Sequence, residues 1–277
     1  MPKALGSTEV EQFRRDGYLP ARPLLSVEEA LELRRGLEAY EATLDGPLRG
    51  SNRFKTHLLF KGLADLIRAP RILDVVEDLI GPDIMVWSTD WWIKEARSPA
   101  FVSWHQDSQY WGLDTTRLLT LWVALSAATE QSGCMRVLPG SHLGPDLPHT
   151  ETYHQDNMLT RGQSIECIDE HQARNLQVPT GHAALFAFRI AHASHPNRSD
   201  DRRIGYAIRY IPPDARQTLS KRDAAALVRG EDRFGYFEHE PEPARDFDPV
   251  AVAFHRRTEE DRRRILYHGT GRDEHRT

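Results

Sequence analysis

The sequence predicts a mainly β protein, a sandwich or barrel of short strands flanked by helices. Three observations carry this. Residues 84–211 hold β-branched and aromatic runs broken by turn chemistry, the texture of a β core. The first 80 residues instead repeat apolar positions at helical spacing. From Lys221 the chain turns charged and helical again, ending in TEEDRRRILYHG, whose terminus is expected to fray. At 277 residues the reading is one large domain with a substantial core. It divides into a helical N-terminal layer (1–82), a β core (83–212) carrying an insertion (144–175), and a C-terminal helical and loop extension (213–277).

In order along the chain, Thr8 with Glu11 reads as a capping box for a short helix ending near Gly17. Ser26 with Glu29 does the same for a longer helix whose Ala30, Leu33, Leu37 and Tyr40 share a face, stopped by Gly46 and Pro47. Residues 51–61 carry mixed signals and read as loop. Helical spacing returns over 63–80, interrupted by Pro70 and ended by Gly81 and Pro82. Strands follow at 84–94, 101–104, 118–125, 134–138, 183–188 and 204–211, separated by Pro, Gly, Ser and Asp turns. The polar insertion has the length of a lid or binding loop.

Hydrophobic content of 39% and charged content of 28% are those of a soluble globular protein. A net charge of −5 gives no electrostatic footprint for nucleic acid. No run approaches the roughly 18 apolar residues of a membrane span, and the first residues lack an apolar signal-peptide core. Cys134 and Cys167 are too few for a disulfide framework, so a reducing cytoplasm is the expected location. The expected partner is a small-molecule substrate, with neither nucleic acid nor membrane; oligomeric state stays open.

The chemistry centres on residues 101–122, FVSWHQDSQYWGLDTTRLLTLW. Its His105-Gln106-Asp107 proves little alone: with 13 His in 277 residues, about one His-x-Asp arises by chance. A second copy, His154-Gln155-Asp156, lies in the insertion. Context favours the first, which follows a strand. On a strand, residues i and i+2 point to one face, so His105 and Asp107 can take adjacent positions on one metal. Two His and one carboxylate with open positions opposite is the usual site of non-haem Fe(II) oxygenases. The best third ligand is His192, delivered by the apolar run AALFAF.

These segments resemble the phytanoyl-CoA dioxygenase family of Fe(II)/2-oxoglutarate oxygenases. The resemblance rests on Trp104-His105-Gln106-Asp107, then Leu121-Trp122, then residues 133–142 as GCMRVLPGSH, then His192 to Ser199 as HASHPNRS followed by Arg203. It runs from about residue 84 to 211 and is looser in the N-terminal helices. It implies a double-stranded β-helix (a jelly-roll, cupin-like barrel). It implies His105, Asp107 and His192 as iron ligands, 2-oxoglutarate as co-substrate with O₂, and Arg203 as the anchor of its far carboxylate. A guanidinium fork suits that task better than an ammonium. Arg202 competes, but strand alternation puts it on the other face. Trp122 matches a pocket-lining Trp, and Lys94 sits where relatives often carry a lysine near the co-substrate. His182 departs from the family's usual Asp, in a turn.

Other residues have two readings. His195 could exchange roles with His192, but the pattern places the ligand first. His142 and His149 read as neighbours of the site or surface groups. His154 and Asp156 read as a solvated loop pair or part of a lid. Trp111 is either barrel-mouth packing or a substrate wall. Arg209 shares strand parity with Arg203 and needs a partner if it points inward, either an acidic core residue or an acidic substrate group. Arg161, on the insertion, is a candidate substrate clamp. The expected activity is hydroxylation of an unactivated C–H bond in a small polar metabolite or natural-product intermediate. Asp107 favours this, since halogenating relatives have a small residue there. Two alternatives share the fold, a cupin-type isomerase or lyase and a non-catalytic ligand-binding barrel, and neither needs Arg203.

Overall fold

The structure, a computed structural model, describes residues 3–44, 48–266 and 268. The chain runs α1 (Ser7–Asp16), β1 (Tyr18–Pro23), α2 (Val27–Glu41), α3 (Lys61–Leu66), α4 (Pro70–Ile80), β2 (Ile84–Lys94), β3 (Val102–His105), α5 (Ser108–Trp111), β4 (Leu119–Ala124), β5 (Met135–Val137), β6 (Thr150–Glu151), β7 (Gln163–Ser164), β8 (Arg174–Leu176), β9 (His182–Ala187), β10 (His192–Ser194), β11 (Arg203–Ile211), β12 (Ala224–Arg229), β13 (Glu238–His239) and α6 (Pro249–Leu266). Seven strands form a major sheet in the order β1-β9-β4-β11-β2-β12-β13, and four form a minor sheet, β3-β10-β5-β8. The two sheets pack together through Trp122, Ala124 and Phe186 on one side and Met135, Val137 and Leu176 on the other. This is the expected jelly roll, a closed pair of sheets that manages strand edges.

Strand β11 shows how the sequence builds both faces. Its even-numbered Ile204, Tyr206, Ile208 and Tyr210 pack in the cluster that holds Ile72, Leu73 and Val76 of α4. The odd-numbered Arg203, Gly205, Ala207 and Arg209 face the space between the sheets, as alternation requires. Arg202, just before the strand, pairs with Glu41 and Glu95 on the outside. Gly205 is dictated by its neighbour: a Cβ there would lie 1.8 Å from Trp122 Cζ2. Gly205→Ala is expected to cost about 1–3 kcal/mol, as overpacked cores do, and to weaken the site beside Trp122. Thermal unfolding checks this, and an unchanged Tm would show that the Trp122 ring moves freely.

Strands β6, β7, β8, β10 and β13 and helix α5 were not among the expected elements, and four further differences concern the helical layers and a loop. Helix α1 starts at Ser7, with Gly6 N–H donating to Glu9 Oε2 at 2.8 Å, so Thr8 and Glu11 form no box. The Ser26–Glu29 box is present, with both reciprocal hydrogen bonds. The helical N-terminal layer contains a strand, β1, paired with β9 through Tyr18↔Phe186 and Leu19↔Leu185. The sequence from Lys221 is also not all helical. The AAALVR of β12 has helical propensity, yet it pairs with β2 through Ala226↔Val86, and a partner edge overrides propensity.

The loop expected at 51–61 is the fourth difference. Lys55, Thr56, His57 and Leu58 are buried. Lys55 Nζ donates to the Ala224 carbonyl at 2.7 Å and pairs with the Glu240 carboxylate. Glu240 Oε2 meets His57 Nε2 at 2.6 Å, and His57 Nδ1 meets Thr89 Oγ1 at 2.9 Å. Burial alone would push the Glu240 carboxyl up, but Lys55 and His57 hold it at about 2. Glu240→Ala leaves a buried lysine without its anion, so a loss of about 3–5 kcal/mol is expected. Chemical denaturation measures it, and a loss under about 1 kcal/mol would mean water reaches Lys55.

Candidate active site

His105 ends β3 and His192 opens β10, and the two are direct Cα partners in the antiparallel pair. Their rings lie 4.1 Å apart between centroids. Each Nδ1 faces a backbone carbonyl, His105 to Ser103 at 3.0 Å and His192 to Ile190 at 3.1 Å. A carbonyl only accepts, so Nδ1 carries the proton on both rings and both Nε2 lone pairs are left to ligate.

Asp107 completes the trio by a different route from the one read in the sequence. The strand stops at His105, and Asp107 has helical backbone angles (φ −62°, ψ −32°) at the start of α5. The turn, not the pleat, swings its carboxylate back, with Oδ1 3.4 Å from His105 Nε2. Gln106 fixes that turn. Its Nε2 donates to Arg189 O at 2.6 Å, its Oε1 accepts from Leu147 N at 2.7 Å, and its N–H donates to His149 Nε2 at 2.9 Å. Sequence reading passed over Gln106; its place between two candidate ligands was the available signal.

One ligand atom from each of His105, Asp107 and His192 lies within 4.8 Å of the others, and all three residues are buried. They form the only such group found among the described residues, so His154 and Asp156 belong to no second one. Burial, with His105 close by, pushes the His192 imidazole down to about 4, keeping it neutral and able to ligate at neutral pH. Burial would raise the Asp107 carboxyl, but the close approach of His105 and His192 and the charge of Arg209 hold it below its usual value. His195 instead points outward, accepting from Arg136 Nη1 at 3.0 Å. Gly133 secures this bend, since a Cβ there would lie 2.2 Å from the His195 carbonyl.

Across from the trio stands Arg203, 3% exposed. Its guanidinium lies 5.4 Å from the centre of the Trp122 ring. Its Nε and Nη2 are buried with no hydrogen-bond partner, as is Thr120 Oγ1. His105, Asp107, His192, Thr120, Trp122 and Arg203 all line one small cavity. Burial pushes the guanidinium down to about 10. A buried cation with idle donors is a cost unless an anion arrives, so the donor set fits a metal chelated by a keto acid whose other carboxylate reaches Arg203. Thr120 is a second residue the sequence reading missed.

Lys94, expected beside the co-substrate, needs correction. It is the register partner of Arg203 on β2, but it lines neither cavity described here. Its Nζ donates to Ser194 Oγ at 2.7 Å and to the His195 carbonyl. Burial first, and Arg203 second, push it down to about 6, so it braces the end of β10 as a largely neutral amine. Asn197 braces the same bend, donating to Lys94 O, Glu95 O and Asp201 O.

A larger cavity of about 540 Å³ opens from His105 and Asp107 and is lined by Trp111, Arg161 and Arg209. Trp111 packs on Trp87 and Phe188 and lines this cavity. Arg161 pairs with Glu151 and stacks 4.9 Å over Tyr110. His154 and Asp156 line the same cavity from the insertion, and Phe101 N–H donates to Asp156 O at 2.9 Å. No helix among the described residues is long and apolar enough to cross a membrane.

Residues 13–205 match the model of the family described as phytanoyl-CoA dioxygenase (PhyH). The chain is 34% identical to the solved non-heme monooxygenase ThoJ in its apo form, covering 95% of this chain and 99% of that one with a TM-score of 0.83. It is 32% identical to a probable alpha-ketoglutarate-dependent hypophosphite dioxygenase of Stutzerimonas stutzeri, over 57% of this chain and 56% of that protein. To the L-proline trans-4-hydroxylase of Streptomyces griseoviridis it is 26% identical, over 72% and 84%. The match thus spans little more than half the length of the first of these curated relatives.

Proposed function

The chain belongs to the phytanoyl-CoA dioxygenase family, and from that premise we propose that it is an iron(II)- and 2-oxoglutarate-dependent oxygenase that hydroxylates an unactivated C–H bond of a small polar metabolite or natural-product intermediate. One observation carries this reading. A buried His–Asp–His trio faces a buried arginine whose Nε and Nη2 have no partner in the protein. A cupin-type isomerase or a simple binding barrel has no use for that idle cation.

Iron(II) with 2-oxoglutarate and O₂ would supply oxidative decarboxylation to succinate and CO₂, coupled to oxygenation of a substrate C–H bond. The protein's own groups would do the rest. His105, Asp107 and His192 hold the metal from one side and leave the cavity side open. Arg203 and Thr120 orient the co-substrate, and Trp122 forms the wall beneath Arg203. Trp111, Arg161 and Arg209 bound the space where substrate sits. A 540 Å³ cavity is of a size for a small organic ligand, and relatives named for hypophosphite and L-proline support a small polar substrate.

The test is succinate release from 2-oxoglutarate by iron-loaded protein under air, with and without added metabolites. Release that depends on iron and 2-oxoglutarate and is stimulated by a substrate supports the reading. Iron binding with no 2-oxoglutarate binding would refute it.

A further inference from the structure

We propose that Arg209 seats a carboxylate of the substrate, so that the substrate class is a carboxylic acid held by one end with its reacting carbon toward the His–Asp–His trio. This deepens the oxygenase reading and rests on it.

Arg209 is 5% exposed and lines both the small cavity and the larger one. Four arginines line the larger cavity, and three have acids. Arg53 pairs with Asp90, Arg161 with Glu151 and Arg262 with Glu259. Arg209 has no ion pair among the described residues: its Nη1 donates to Ser88 Oγ at 3.2 Å, and its Nε is buried with no partner. An inward arginine was expected to find either a core acid or a substrate anion; no acid ion-pairs with it among the described residues, although its charge helps hold the Asp107 carboxyl down.

The guanidinium is also held in place. It lies 4.6 Å from the centre of the Trp111 ring. Trp111 is in turn stacked on Phe188 and fixed by Gln217, which donates to its carbonyl at 3.0 Å. A donor fixed in advance binds at a lower ordering cost. Arg209 sits six residues along β11 from Arg203, about 20 Å at strand rise, with Gly205 and Ala207 between them. Both arginines border the small cavity, but of the two only Arg209 also opens into the larger one, and that directs it to a second ligand. A carboxylate, with one charge and two oxygens, matches the open guanidinium edge.

The experiment uses the full chain loaded with Ni(II), with and without saturating 2-oxoglutarate. It is titrated with matched acid and amide pairs, hexanoate with hexanamide and 3-phenylpropanoate with 3-phenylpropanamide. Binding is read by calorimetry and by the fluorescence of the cavity tryptophans. For at least one pair, the acid is expected to bind about tenfold or more tighter than the amide with 2-oxoglutarate present. Arg209→Gln should bring the two to parity without the loss of 2-oxoglutarate affinity seen in Arg203→Gln. Arg209→Lys keeps the charge and loses the fork, so it should show a reduced preference, and it serves as the reading if Arg209→Gln fails to fold. The proposal is overturned if no pair favours the acid, if the preference survives undiminished in the variants, or if it vanishes once 2-oxoglutarate saturates the site. It is also overturned if Arg209→Gln loses 2-oxoglutarate as Arg203→Gln does, which would assign Arg209 to the co-substrate. Failure of wild type to bind 2-oxoglutarate would sink the oxygenase reading instead, with the acid–amide comparison still readable in its absence.

Discussion

Arg203→Gln is expected to weaken 2-oxoglutarate binding by more than about 30-fold while leaving the metal-free protein at least as stable as wild type. Both halves follow from one observation. Arg203 is buried with Nε and Nη2 idle, so in the protein alone it is a desolvated cation without an anion. Removing it relieves that cost. Once a carboxylate is bound, the same guanidinium becomes half of a buried, charge-assisted pair, and truncating such a pair costs about 2–5 kcal/mol. The signature is therefore opposite in sign with and without ligand. Thermal shift measures it directly: wild type rises on adding 2-oxoglutarate with metal, and the variant starts no lower but does not rise. A variant that binds the keto acid as wild type does would place the anchor elsewhere.

His192→Ala is expected to lower metal affinity by more than about 100-fold, beyond the 10- to 100-fold typical of losing a group that only orients a ligand. His195→Ala should leave it nearly unchanged. The two histidines are three residues apart, yet one is register partner to His105 inside the barrel and the other bonds Arg136 outside. Metal content after dialysis and Co(II) titration read the difference. Equal loss in both variants would show that β10 as a whole, not one imidazole, holds the metal.

The same residue sets an acid response. Its pKa falls from about 6.5 in the unfolded chain to about 4 when folded. The unfolded chain therefore binds the proton more readily between these values. Stability from this group is complete above about pH 6.5 and is lost as pH falls toward 4. Metal-free wild type should show that loss, and His192→Ala should show less of it.

The sequence by itself determined the strand-rich core, the Ser26–Glu29 cap, the four-part motif and its order, and the parity of β11. These are local properties. Alternation along one strand is enough to separate Arg202, which pairs with Glu41 and Glu95, from Arg203 and Arg209 inside. Only the tertiary structure decided what depends on a partner distant in sequence. β1 and β12 are strands because β9 and β2 offer edges to pair with, which no window of six residues reveals. Lys55 and His57 are core because Glu240 reaches them from 183 residues away in the case of His57. Asp107 turns inward through a bend that Gln106 ties to Leu147, His149 and Arg189, although the strand argument gave the right residue for the wrong geometric reason. Lys94 and Arg203 are neighbours in register, and the sequence read both as serving the co-substrate. The fold gives the Lys94 amine acceptors and leaves Nε and Nη2 of Arg203 with none. That difference is a matter of which polar groups the closed barrel places within hydrogen-bond reach, and it exists only once the sheets have met.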